Sequence, residues 1–180
     1  MTDEELILQF KNEDTRESAF RQLVHQYQQR LYYHIRRMVI DHDDANDVLQ
    51  NALIKVWNNL ANFREESQLF TWLYRIATNE SLSFLAQKQR KFAHSIDEFQ
   101  GYLSNKLRSD KYFEGDKIEL KLQEAILTLP EKQRLVFNMR YYDETPYEEM
   151  SRILGTSEGA LKASYHLAVK KIEKIILGND

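Results

Sequence analysis

The chain has 180 residues, no cysteine, two prolines, five glycines, 42% hydrophobic residues and a formal net charge of −3. This composition supports one domain or two small ones, and it excludes a disulfide scaffold and a thiolate metal site. No apolar run approaches a membrane span, and Met1-Thr-Asp-Glu-Glu is the opposite of a signal peptide, so a cytoplasmic chain without membrane insertion is expected.

Few breakers and no strand signal predict an all-α fold. Thr2-x-x-Glu5 reads as the cap of a short helix through Leu6, Ile7, Leu8 and Phe10. Asp14-x-x-Glu17 reads as a second capping box. It would open a long helix with Phe20, Leu23, Val24, Tyr27, Leu31, Ile35, Met38 and Val39 on one stripe. The break at Asp41-His-Asp-Asp44 puts acid at the start of a third helix, which suits the helix dipole. Its inward stripe is Ala45, Val48, Leu49, Ala52, Leu53, Val56, Trp57 and Leu60. Residues 61–67 are polar and read as a loop. A fourth helix is predicted from about Gln68 to Arg90, with Phe70, Leu73, Ile76, Ala77, Phe84 and Leu85 toward the core.

Periodicity fails from about Phe92 to Asp116, which predicts a flexible linker with at most transient helix. Fully extended, its roughly 25 residues span about 80 Å. A second helical domain is predicted over residues 117–180, after a first over residues 1–91. Leu122, Ala125, Ile126 and Leu129 mark one helix ending near Pro130. Leu135, Val136 and Met139 mark the next.

Two helices joined by a three-residue turn close the chain. Thr145 would cap the first, Glu148 would complete the box, and Pro146 would take the first helical position. Tyr147, Met150, Ile153 and Leu154 form its stripe, and Gly155 stops it. Ser157 would cap the second helix, whose inward positions are Leu161, Tyr165, Ala168 and Ile172. Gly159, Ala163, His166, Lys170 and Lys174 point outward, with Lys162 at the flank. That face is small at one end and basic at the other, as a major-groove helix requires. An ordinary helical hairpin with a solvated basic face has the same pattern, and the pattern alone leaves both readings open. Acid collects at Asp3–Glu17, Asp41–Asp47, Glu114–Glu119 and Asp143–Glu149, and base at Lys88–Lys91 and Lys162–Lys174. Separate basic patches on an acidic body suggest DNA contact helped by a larger partner.

Three segments then resemble one family in one order. Phe63 to Lys91, centred on Phe70-Thr-Trp-Leu-Tyr-Arg-Ile-Ala-Thr-Asn79, resembles the promoter-melting segment of bacterial sigma factors. Asp44-Ala-Asn-Asp-Val-Leu-Gln-Asn-Ala-Leu-Ile-Lys-Val-Trp57 resembles the segment that docks on core RNA polymerase. Leu129-Pro-Glu-Lys-Gln-Arg134 and the helix-turn-helix resemble the fourth conserved region. The short length points to the extracytoplasmic-function (ECF) group of the sigma-70 family. The resemblance implies a region 2-like bundle and a region 4-like helix-turn-helix domain on a flexible linker.

It also implies roles for particular residues. Asp47, Gln50, Asn51, Ile54, Lys55 and Asn58 would meet core RNA polymerase, with Asn51 standing where the family usually has an acid. Asn62, Phe63, Arg64, Glu65 and Ser67 form a loop suited to unpaired bases, with Trp72, Arg75 and Asn79 supporting the opened strand. Phe70 and Trp72 also fit a plain core role. Gln87, Lys88, Arg90 and Lys91 would touch backbone near the −10 element. Ser157, Gly159, Ala160, Lys162, Ala163, Ser164, His166 and Lys170 would read the −35 element. The family often has arginine where this chain has Ser164 and Leu167. Leu167 suits a thymine methyl, or burial against the protein when DNA is absent. Arg140, Tyr147 and Arg152 are weaker candidates for phosphate contact. The implied partners are core RNA polymerase, promoter DNA and an anti-sigma factor; no obligate homo-oligomer is expected.

Two rival classes compete with this reading. A stand-alone helix-turn-helix regulator with a helical sensor domain would dimerise on a palindrome, yet no dimer stripe or ligand pocket is evident. An enzyme would need a chemical motif. His25, His34, His42, His94 and His166 form no zinc-spaced pair, and neither a nucleophile elbow nor a phosphate loop is present. Asp41-His-Asp-Asp44 reads as a helix start rather than a metal site. No cofactor, metal or catalytic residue is expected.

Overall fold

A computed structural model describes residues 1–92, 95–110 and 115–178; His94 and Glu114 lie outside them. Helix α1, Asp3–Lys11, opens with the expected box. The Thr2 hydroxyl accepts from the Glu5 amide at 3.2 Å, and the Glu5 carboxylate accepts from the Thr2 amide at 2.8 Å. The box expected at Asp14 and Glu17 does not form. Helix α2, Arg16–Val39, starts after Thr15 without a side-chain cap. The Thr15 hydroxyl donates instead to the Gln9 carbonyl at 2.6 Å, and the Asp14 amide donates to Asn12 Oδ1 at 3.0 Å. Both residues are taken up by the tight turn that closes α1.

Helix α3, His42–Asn59, is capped by Asp41, whose carboxylate accepts from the Asp44 amide at 3.0 Å. A 3-10 turn at Leu60–Asn62 and a short loop lead into α4, Leu69–Arg90. Helices α2, α3 and α4 pack on one another, with α1 against α2. Leu23, Leu31, Ile35, Val56, Leu73 and Leu85 are all buried between them. Each such side chain contributes about 1.5–3 kcal/mol by burial. Trp57 departs from its expected inward place. It is 39% exposed, and its ring meets Phe10 and Phe20 edge-on at 5.3 and 5.1 Å.

The stretch read as a linker contains helix α5, Ile96–Arg108. Ser95 caps it, accepting from the Glu98 amide at 3.3 Å. Phe99, Leu103 and Leu107 are buried at spacings of one turn. The stripe is only one residue wide and is interrupted by charge and by Gly101, so its periodicity is faint in the sequence.

Helix α6, Lys117–Leu127, is capped by Asp116. Helix α7, Glu131–Tyr141, follows Pro130, and α8, Tyr147–Leu154, and α9, Glu158–Ile176, form the helix-turn-helix. The expected Thr145 cap of α8 is absent, and Pro146 takes the cap position with no side-chain bond. Thr145 is buried. Its amide donates to the Met139 carbonyl at 3.0 Å and its carbonyl accepts from Arg140 at 3.3 Å. Its backbone is thus tied back to α7, and Glu148 pairs with Arg152 at 2.6 Å rather than closing a box.

Ala125, Ile126, Leu129, Phe137, Ala168 and Ile172 make a core of their own at α6, α7 and α9. The other side of this unit does not end in solvent. Helix α7 packs on α2, and α8 packs on α4. Leu135, Val136, Met139, Met150 and Ile153 continue the apolar cluster that begins in the first bundle.

Candidate nucleic-acid interface

The geometry of α9 follows from its two caps. Gly155 adopts φ 67°, the left-handed conformation that closes α8, and Ser157 accepts from the Ala160 amide at 3.3 Å. Leu161, Ala168 and Ile172 anchor the inward face, and Tyr165 stacks on Phe137 at 5.7 Å. Ser157, Gly159, Ala160, Lys162, Ala163, His166 and Lys170 are exposed, and Ser164 is half-buried. A Cβ built on Gly159 meets no atom within 4 Å, so the helix offers an open, small-residue surface there. Leu167 is 50% exposed, so burial against the protein, one of its two expected fates, does not occur. Lys162 lies 5.7 Å over the Tyr147 ring, and Arg140 lies 4.9 Å over the same ring.

The loop before α4 forms an open cleft of about 430 Å³. Asn62, Phe63, Arg64, Ser67, Trp72 and Arg75 all contribute to its walls. Six of the residues singled out for unpaired bases therefore meet in one place. Their roles within it differ from the expected loop chemistry at one point. Phe63 is 8% exposed and packs on Trp72 at 5.2 Å, so it supports the cleft wall and offers no free ring face. Trp72 is half-buried. Asn62, Arg64 and Glu65 are exposed, and Glu65 holds a positive φ of 58°. Further along α4, Asn79, Gln87, Arg90 and Lys91 are exposed; Lys88 is half-buried, with its ammonium 5.4 Å over Tyr102 of α5.

A third surface lies on α3. Asp47, Gln50, Asn51, Ile54, Lys55 and Asn58 are all exposed, Ile54 at 58%. Lys55 pairs with Glu80 of α4, which joins this face to the outer side of the cleft helix.

One cluster escaped the sequence reading. Asp143, in the turn between α7 and α8, accepts from Arg37 on one oxygen and from the Tyr74 hydroxyl on the other. His34 sits 3.8 Å from the same carboxylate, stacks on Tyr74 at 4.0 Å between centroids, and meets the Thr78 hydroxyl at 2.7 Å. Burial holds the His34 imidazole neutral and pushes its pKa down to about 4. Asp143 opposes that shift and Arg37 adds to it. Burial, with Asp143 beside it, pushes the Tyr74 phenol up. No local motif marks these residues, because they come from two helices, α2 and α4, and one turn far apart in sequence.

Helices α8 and α9, packed on each other and joined by a three-residue turn, define a protein of the helix-turn-helix class. Family models place it further. Sigma-70 region 2 matches residues 23–91, and Sigma-70, region 4 matches residues 119–172. RNA polymerase sigma-H factor of Pseudomonas aeruginosa is 30% identical, over 97% of this chain and 93% of that protein. ECF RNA polymerase sigma-E factor of Escherichia coli K12 is 29% identical, over 96% and 93%. Among solved structures, CnrH in complex with the cytosolic domain of CnrY has a TM-score of 0.70 at 19% identity, covering 99% of each chain. The sigma factor RpoE of Bartonella quintana, in complex with the anti-sigma factor NepR, has a TM-score of 0.66 at 20% identity, covering 89% of this chain and 98% of that one. The chain belongs to the ECF group of the sigma-70 family of RNA polymerase sigma factors, and is thus a factor of transcription initiation.

Proposed function

We propose that this chain carries out initiation with a division of labour among its three exposed surfaces. The α3 face from Asp47 to Asn58 holds core RNA polymerase. The cleft around Trp72 and Arg64 captures unpaired bases of the −10 element, and the basic end of α4 holds the adjoining backbone. The α9 face from Ser157 to Lys170 reads the −35 element. Residues 1–91 and 117–180 are the two reading domains, and 92–116 connects them. The observation that carries this reading is that the three faces are exposed on one chain, with Asn62 to Arg75 converging on a single cleft.

The chain supplies no catalytic residue; nucleotide transfer belongs to the polymerase, and the chain contributes binding free energy that favours the melted promoter. Among the described residues no helix is long and apolar enough to cross a membrane. Action in the cytoplasm, at the nucleoid when bound to polymerase, fits this function. An anti-sigma factor is a fitting regulator, since the sigma factor RpoE of similar fold is held by the anti-sigma factor NepR in its solved structure. The test is binding to core polymerase by the intact chain and by Ile54→Glu. Ile54 is exposed, so the variant folds normally. Placing a charge at the centre of the docking face is expected to weaken binding at least 10-fold, as loss of a hot-spot contact does. Equal affinity of parent and variant would remove α3 from the polymerase interface.

A further inference from the structure

We infer that the cleft between the end of α4, helix α5 and the start of α7 is a binding site for a small oxyanion of the phosphate class, with Arg134 as its main ligand. Among the described residues Arg134 is the one arginine that is buried, at 5% exposure. Arginine is rarely buried without a counter-charge, because taking a guanidinium out of water is costly. The half-buried Arg36 and Arg37 obey this rule and pair with Asp110 and Asp143. Arg134 does not. Among the described residues its guanidinium has no hydrogen bond and no ion pair. Burial pushes its pKa down and Glu131 opposes that shift, yet a guanidinium stays charged at any ordinary pH. None of the three faces assigned to polymerase and promoter uses this residue.

Arg134 lines a cleft of about 220 Å³, and the other polar groups there are donors as well. Gln89 of α4 and Gln100 of α5 are half-buried in its wall, and neither side-chain amide has a hydrogen bond among the described residues. Helix α7 starts in the same wall, behind Pro130, and no side chain caps it. Its first-turn amides therefore keep their hydrogens free, and the helix end carries partial positive charge. A guanidinium fork, two amides and an uncapped helix start call for a ligand with several acceptor oxygens and negative charge. Phe99, Leu103 and Leu129 are buried at the back of the cleft and keep water from the guanidinium. Glu131 is the one opposing group. Its half-buried carboxylate lines the cleft without pairing with Arg134, so it weakens an anion's hold rather than replacing the anion. A guanidinium recessed to 5% exposure favours a free anion over a phosphate fixed in a duplex backbone.

Inorganic phosphate and pyrophosphate are titrated into the full-length chain at fixed ionic strength, in a buffer free of other oxyanions. Calorimetry gives the affinity, and amide NMR follows the first-turn signals of Lys132 and Gln133. A single saturable site is expected, with chloride producing none. Arg134→Met keeps an apolar stem and removes the charge. It is expected to weaken binding roughly 10- to 100-fold, the range for losing a charge-assisted donor. The Tm of its anion-free form should stay level or rise, because a buried charge without a partner has gone. Glu131→Gln removes the opposing charge and should tighten binding about 5-fold, and it carries the test if Arg134→Met loses helix content. Arg21→Gln, which deletes an exposed charge paired with Glu17 within α2, leaves binding unchanged. Absence of a saturable site, or equal affinity in the parent and Arg134→Met, would overturn the proposal. Acetate binding as tightly as phosphate would overturn the phosphate class. Displacement of pyrophosphate by a short DNA duplex would give the site to backbone phosphate and overturn the free anion.

Discussion

Replacing Gly159 by alanine separates stability from promoter reading at a single methyl group. Gly159 lies two residues after the cap Ser157, in the first turn of α9, and no atom stands within 4 Å of the added Cβ. The methyl therefore meets no protein. Alanine is about 0.8–1.0 kcal/mol better than glycine inside a helix, and a first-turn position takes about half of that. A domain of this size gains roughly 2–4 °C in Tm per kcal/mol, so a rise of about 1–2 °C is expected. The same methyl projects from the face assigned to the major groove. A backbone that approaches bases closely has no space for it, and displacement from one good base contact costs about 1–3 kcal/mol, or roughly 5- to 150-fold in affinity. The assay pairs thermal unfolding of the free chain with promoter binding by the polymerase complex. A higher Tm with unchanged promoter affinity would refute close approach of this turn to DNA. A lower Tm would refute the helical reading of the site.

Three further outcomes follow from particular residues. His34 stays neutral in the fold down to about pH 4, whereas the unfolded imidazole takes its proton near the ordinary value of 6.5. Its contribution is therefore complete above 6.5 and is lost as pH falls toward 4, at a cost of about 2 kcal/mol between pH 7 and 5. Urea midpoints should show His34→Gln losing less stability over that interval than the parent; equal losses would clear His34 of the effect. Gly155→Val forces a β-branched residue to φ 67° where space is otherwise free, so it should destabilise by about 1–2 kcal/mol, with Gly155→Asn costing less. Similar urea midpoints for the two variants would contradict that cause. Trp72→Ala should leave polymerase binding intact and reduce permanganate reactivity of promoter thymines about 10-fold, the scale of one lost stacking platform. Unchanged reactivity would remove Trp72 from melting.

Much of the fold was legible because the helices announce themselves locally. Thr2 with Glu5, Asp41, Gly155 and Ser157 all do in space what their residue types suggest in sequence. The failures share a cause. Asp14 and Thr145 have the right chemistry for caps, but the turns around them claim the neighbouring groups first, through Thr15 to Gln9 and through Thr145 to Met139. Helix α5 was hidden because its stability comes from three buried side chains, Phe99, Leu103 and Leu107, rather than from a broad stripe. Within the site, exposure of the α3 and α9 faces follows from helical spacing, and both faces were readable. Phe63 was not: whether an aromatic in a polar loop offers its ring or buries it is decided by Trp72 across the turn. The Asp143 cluster was invisible for a deeper reason. Its acid looked like part of a solvated acidic run, and its two hydrogen-bond partners lie 69 and 106 residues away.

Transcription in vitro is the most direct test of sigma activity. The purified chain is combined with core RNA polymerase on a library of genomic fragments, and the 5′ ends of the transcripts are sequenced. Discrete new start sites that require both components are expected, sharing two upstream elements at fixed spacing; the distal one would weaken in effect when the Lys162–His166 face is altered. Absence of initiation together with absence of binding to core polymerase would contradict the sigma function proposed for these surfaces.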